Sequence, residues 1–300
     1  MNVRWLIVVA AVAFQGARPD VLPAAVTAAI ERDRALLIEL RRDLYQHPEV
    51  SGQEVRTAKV VADRLRALGL DVRTGVGGHG VVGMLKGGKP GPLVAYRADM
   101  DAVPSRAPDP VAFASLTPGV RHICGHDLHV TVALGLASAL TAGRADLPGR
   151  VMFIFQPAEE RATGARAMLD AGLFEGERPA VIFGLHTSPL PVGALTSKAD
   201  RMMLANQVAP GVVNDRAWFA RSRAALEAAL GTNAFSELSA PPAGFSEDFG
   251  HFQAEVPGVF FFLGASDTAM PHAPTFVIDE GAINVGVRAM AAVVIDALRP

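Results

Sequence analysis

Cysteine is nearly absent. Cys124 is the only one in 300 residues, so no intramolecular disulfide can form. Charge asymmetry is absent too. Lys and Arg number 28 against 30 Asp and Glu, a formal net charge of −2. That balance points to neither a nucleic-acid binder nor a polybasic membrane protein. Only 19% of residues are charged and 50% are hydrophobic. A disordered chain is thereby excluded, and a large buried core is within reach. The 29 glycines and 21 prolines follow no period, which excludes collagen-like and low-complexity readings. No internal repeat is visible. No stretch has the roughly 20 apolar residues needed to span a bilayer.

What is present begins at the N-terminus. Met1–Arg4 carries a basic side chain, and Trp5–Phe14 is ten apolar residues, with an Ala-x-Ala pattern at Ala11-Val12-Ala13 and a later small residue at Ala17. This is the layout of a secretory signal peptide, here residues 1–17. The expected mature protein is periplasmic or secreted, with no membrane segment. Residues 18–300 then form one large domain or two small ones. In an oxidising compartment a lone cysteine needs a use. Cys124 is either inert and buried, paired with another chain, or bound to metal.

Periodicity predicts a helix over Ala24–Gln46, ended by His47-Pro48. Ser51-Gly52-Gln53-Glu54 reads as a capping box for a helix that runs to Leu68 and stops at Gly69. Asp71–Val76 and Val81–Leu85 read as a hairpin, with Gly77-Gly78-His79 as its turn. Leu93–Arg97, Val151–Phe155, Val181–Leu185 and Val259–Leu263 are apolar runs of buried-strand type. Helices are expected over His126–Leu140, Gly164–Ala171, Asn214–Leu230 and Asp279–Leu298. Gly193–Gly211 shows no clear period. The alternation predicts an α/β fold, a mostly parallel mixed sheet sandwiched by helices.

In such sheets ligands bind beyond the carboxyl ends of the strands. Asp99 and Asp101 follow the first buried strand, Glu159 and Glu160 the second, His186 the third, and His272 lies in the loop after the last. His122, Cys124, His126 and His129 stand just before a helix. Five of the eight histidines, the only cysteine and four carboxylates thus meet at one edge. Each alone has an ordinary structural explanation. Together they suit one or more divalent ions, with one Glu binding and its neighbour free as a base.

At these residues the chain resembles the aminoacylase and carboxypeptidase type of metallopeptidase. The closer likeness is to its amidohydrolase branch, with hippurate hydrolase and the indole-acetyl-amino-acid hydrolases. The matching stretches are His47-Pro48-Glu49, Arg97 through Pro104, His122 through His129, and Gln156-Pro157-Ala158-Glu159-Glu160. Further ones are Gly184-Leu185-His186, Pro191-Val192-Gly193, Ser246-Glu247-Asp248-Phe249, Pro257 through Gly264, and Pro271-His272-Ala273-Pro274. The resemblance implies a zinc-exopeptidase-like fold holding two divalent ions, zinc, manganese, cobalt or nickel. It implies Cys124, His126, Glu160, His186 and His272 as ligands, Cys124 bridging. It implies Glu159 as general base, and Asp99 and Asp101 as groups orienting the ligands. His129 lies near these residues but is not clearly matched to a ligand. The implied reaction is hydrolysis of an N-acyl amino acid or small peptide at its amide bond by metal-activated water.

Such enzymes usually carry a lid domain after the Pro-Val-Gly segment. It forms the dimer and lends a histidine from a Gly-Gly-His stretch. Here Pro191-Val192-Gly193 leads to Val213-Asn214-Asp215 in about twenty residues, so the lid is expected to be missing near 198–212. The loop Ser105–Val120 also looks abbreviated. Three readings stay open: an active amidohydrolase, a catalytically weak or inactive metal-binding homologue, and an open-cleft aminopeptidase-like enzyme. A monomer or an oligomer unlike the family's is expected.

Overall fold

The computed structural model describes residues 22–205, 209–240, 246–266 and 269–299. The expected signal peptide, residues 1–17, lies outside the described residues. In chain order the elements are α1 (Ala24–Gln46), α2 (Val55–Ala67), β1 (Asp71–Val76), β2 (Gly80–Lys86), β3 (Lys89–Asp99), β4 (Val103–Pro104) and β5 (Val120–Arg121). Next come α3 (His126–Ala142), β6 (Pro148–Gln156), α4 (Gly164–Asp170), β7 (Val181–Ser188), β8 (Leu195–Ser197), β9 (Asp200–Arg201) and β10 (Val213–Asn214). The chain closes with α5 (Arg216–Leu230), β11 (Phe235–Glu237), α6 (Gly250–Gln253), β12 (Gly258–Gly264) and α7 (Gly281–Ala297).

Eight strands form one sheet in the order β1-β2-β6-β3-β7-β12-β8-β11. The inner four, β6, β3, β7 and β12, are parallel. The hairpin β1-β2 adds antiparallel at one edge, and β8 adds antiparallel at the other. The expected mixed, mostly parallel sheet is the one observed.

The inner strands read as continuous apolar runs because both faces are covered. Phe153, Phe183 and Phe261 face one core, shared with α1, α2, α3, α5 and α7. Their neighbours Ile154, Ile182 and Phe260 face a second core, closed by Met168 of α4 and Phe252 of α6. No described helix is long and apolar enough to cross a membrane.

Three local readings differ from the structure. The capping box does not form. Glu54 is the residue before α2 but does not cap it; Glu49 does instead, accepting from Arg56 N at 2.9 Å and Thr57 N at 2.8 Å. Ser51 Oγ and Glu54 Oε1 are engaged elsewhere, with Asp101 and Ala158 from distant segments. Asn214 is not helical. It ends β10, and Asp215 caps α5 by accepting from Trp218 N at 2.9 Å. The segment without a period holds β8, which extends the sheet through β11. Three residues are too few to show an alternation. Gly77-Gly78-His79 is a turn, as read.

Candidate metal centre

The carboxyl ends of β3, β6 and β7 converge, and the N-terminus of α3 meets them. Gly125 makes that meeting possible. It adopts φ +97°, and a Cβ there would lie 2.7 Å from Thr187 Oγ1. Only glycine fits both conditions. Cys124 and His126 thereby flank a sharp bend, beside His186 of β7.

Hydrogen bonds fix each imidazole. His126 Nδ1 donates to Asp101 O at 2.7 Å, and His186 Nδ1 donates to Thr187 O at 2.7 Å. A carbonyl only accepts, so in the neutral ring each Nε2 carries the free lone pair. His186 Nε2 lies 3.3 Å from Cys124 Sγ. His126 Nε2 is buried and has no hydrogen-bond partner. It lies 3.8 Å from Glu160 Oε1 and 4.0 Å from Glu159 Oε2. His272 Nε2 is 3.1 Å from Glu160 Oε1. It is the one half-exposed member, its side chain 53% accessible.

The ligand atoms cluster in overlapping sets. Cys124, His126 and His186 form one, Cys124, Glu160 and His272 another, each within 4.8 Å of one another. Cys124 belongs to both, as an atom shared between two ions would. His126, Glu159 and Glu160 form a third. Thiolate, imidazole and carboxylate are zinc-type donors. An orphaned buried lone pair aimed at carboxylates is a site a cation would complete. The residues present therefore fit a dinuclear centre.

His129 is used otherwise. Its Nε2 accepts from Thr187 N at 2.9 Å, so its Nδ1 is the donor to Asp99 Oδ1 at 2.6 Å. Both nitrogens are thus engaged in hydrogen bonds.

The electrostatics demand positive charge here. Burial works against a charged His126, but Asp99 and Cys124 outweigh it and hold its pKa well above the usual value. Burial pushes the Cys124 thiol well up. A thiolate at this depth therefore calls for a cation beside it. Burial pushes His186 well down, keeping it neutral and ligand-ready. Burial, then the charges of Glu247 and Asp248, push Glu159 well above the carboxylate range.

Behind the site stands a buried ion cluster of which only Asp99 is singled out by the resemblance. Arg97 donates to Gln156 Oε1, Asp99 Oδ2 and Glu247 Oε1, each at 2.8 Å, and to Asp248 Oδ1 at 3.2 Å. Burial alone would raise Asp99. Arg97, with His126 and His129, instead holds it well below its usual range. Asp101 is a clamp: its oxygens accept from Glu159 N, Glu160 N and Ser51 Oγ at 3.1, 3.0 and 2.6 Å.

Comparison with known proteins gives a consistent picture. Residues 95–296 match the model of peptidase family M20/M25/M40. The chain is 43% identical over 174 residues to an N-acetylcysteine deacetylase of Bacillus subtilis, covering 56% of this chain and 44% of that protein. It is 42% identical over 171 residues to thermostable carboxypeptidase 2 of Saccharolobus solfataricus, covering 56% and 43%. This chain therefore spans less than half the length of these curated relatives. A dinuclear metal-binding peptidase of the M20 family from Bacillus subtilis superposes with TM-score 0.81 at 28% identity, over 89% of this chain and 99% of that one. The match spans two thirds of the sequence and includes every candidate ligand, so the chain belongs to peptidase family M20/M25/M40.

Proposed function

We propose that the protein is a metal-dependent amidohydrolase that cleaves the amide bond of N-acyl amino acids or small peptides, with Glu159 as general base. One observation carries this reading. Cys124 is shared by two ligand sets, and the buried carboxyl of Glu159 lies beside them. Two divalent ions held by Cys124, His126, Glu160, His186 and His272 would polarise a carbonyl and acidify water.

The chain's own groups do the rest. Glu159, raised by burial and by its carboxylate neighbours, is suited to take a proton and release it again. Asp101 holds the amides of Glu159 and Glu160 together, so base and ligand keep a fixed spacing. Asp99 locks His129, which in turn receives the Thr187 amide beside His186. The names of the deacetylase and carboxypeptidase relatives support small acylated or peptide substrates. The N-terminal apolar run supports export to the periplasm or medium.

The connection between β7 and α5 holds only three short strands among the described residues. This supports a catalytic domain without the lid. It also favours a second reading, an open-cleft aminopeptidase-like enzyme, with a weak metal-binding homologue as the limit. The test loads the protein with zinc, manganese or cobalt and offers hippurate, N-acetyl amino acids and aminoacyl anilides. Turnover of the acylated substrates, abolished in Glu159→Gln with metal retained, is expected. Turnover of anilides alone establishes the second reading. No turnover with two ions bound identifies the inactive homologue.

A further inference from the structure

Three consecutive backbone amides of the loop after β6 are each held by a buried carboxylate from elsewhere in the chain. Glu159 N and Glu160 N donate to Asp101. Ala158 N donates to Glu54 Oε1 at 2.8 Å. The same oxygen accepts from Gly52 N at 2.8 Å. Glu54 is fully buried, and it lies more than a hundred residues from its partner in sequence. Ala158 sits at φ +53°, a left-handed conformation that an alanine abandons unless its surroundings over-determine it. Its amide has Glu54 as the acceptor that fixes it.

We propose that Glu54 is a positioning residue for Glu159: by accepting the Ala158 amide it holds the Pro157–Ala158 peptide, and with Asp101 on the next amide it fixes the left-handed Ala158 that leads into the base. Neither amide that Glu54 accepts belongs to a candidate ligand. It acts as an anchor on the α1–α2 loop, tying that loop to the β6 loop through Gly52 and Ala158. Without it, the Ala158 amide is buried without an acceptor or turns away, and the Glu159 side chain turns with it. The catalytic part of this inference rests on the function proposed above. The conformational part does not.

The experiment compares wild type, Glu54→Gln and Glu54→Ala, all zinc-loaded. It reads kcat and KM on an N-acetyl amino acid, zinc content, and amide hydrogen exchange at residues 158–160 by NMR. The amide oxygen of glutamine can still accept, so Glu54→Gln should keep kcat within about threefold and keep the Ala158 amide protected. Glu54→Ala should lower kcat about 100-fold, the scale of an ångström-sized misplacement. KM should stay within about threefold and zinc content should not change. Exchange at Ala158 should be at least tenfold faster. Should Glu54→Ala fail to fold, Glu54→Asp replaces it, since its shorter side chain cannot reach Ala158. Unchanged exchange at Ala158 in the short variant overturns the proposal, as does Glu54→Gln behaving like Glu54→Ala. If wild type hydrolyses nothing, the functional reading fails, and the exchange comparison alone still decides the positioning role.

Discussion

His126 and His129 lie one turn apart on α3, yet one is free to bind metal and the other is not. The difference is set by what each Nε2 meets, no hydrogen-bond partner for His126 and the Thr187 amide for His129. His129→Ala is therefore expected to retain two ions while losing about 3 kcal/mol of stability, the scale of an opened buried pair. His126→Ala is expected to lose metal. Metal content and urea midpoints separate the two. His122 gives a pH prediction. Burial pushes it down to about 4, with Asp127 opposing, and neither ring nitrogen has a partner. The folded state keeps it neutral while the unfolded chain takes a proton below its ordinary value. Stability should fall as pH drops from about 6.5 to 4, by about 3 kcal/mol. Urea titrations in chelator should show wild type losing that much more than His122→Gln across this window. These residue roles were legible as a cluster of types at strand ends. Which nitrogen points where was not, because that depends on partners far away in sequence.

At the scale of elements, the long buried strands and helices were readable, since period and length agree. The elements that were not readable are short or depend on distant partners. β8 and β11 have three residues each, and their pairing with the sheet, not their sequence, makes them strands. Ser51-x-x-Glu54 carries the local signal of a helix cap, but Asp101 and Ala158 outcompete the helix end for those side chains. The bend before α3 gives the element-scale prediction. Gly125→Ala meets both a left-handed φ and a close Thr187 contact. It should cost about 2 kcal/mol or more and displace Cys124 from His126. A urea midpoint equal to wild type would show that the bend tolerates a side chain.

The whole molecule is a mixed sheet between two unequal helical layers, with the centre on its carboxyl edge. The resemblance to lidded enzymes sets an expectation of dimers. The short β7–α5 connection supports our proposal that the segment that would make them is missing. Val192, Leu204 and Val213 along that connection are exposed apolar side chains, 41%, 55% and 50% accessible. We expect a monomer in solution by light scattering. A stable dimer would mean that another face of this domain has taken over assembly.

The central claim is that one thiolate serves two metal sites. Cobalt(II) loading followed by dialysis, metal analysis and near-ultraviolet absorption tests it directly. Wild type should hold two equivalents with a sulfur-to-cobalt charge-transfer band. Cys124→Ala should lose the band and weaken both equivalents together. Two equivalents retained in Cys124→Ala, or none bound by wild type under any loading, would contradict the account.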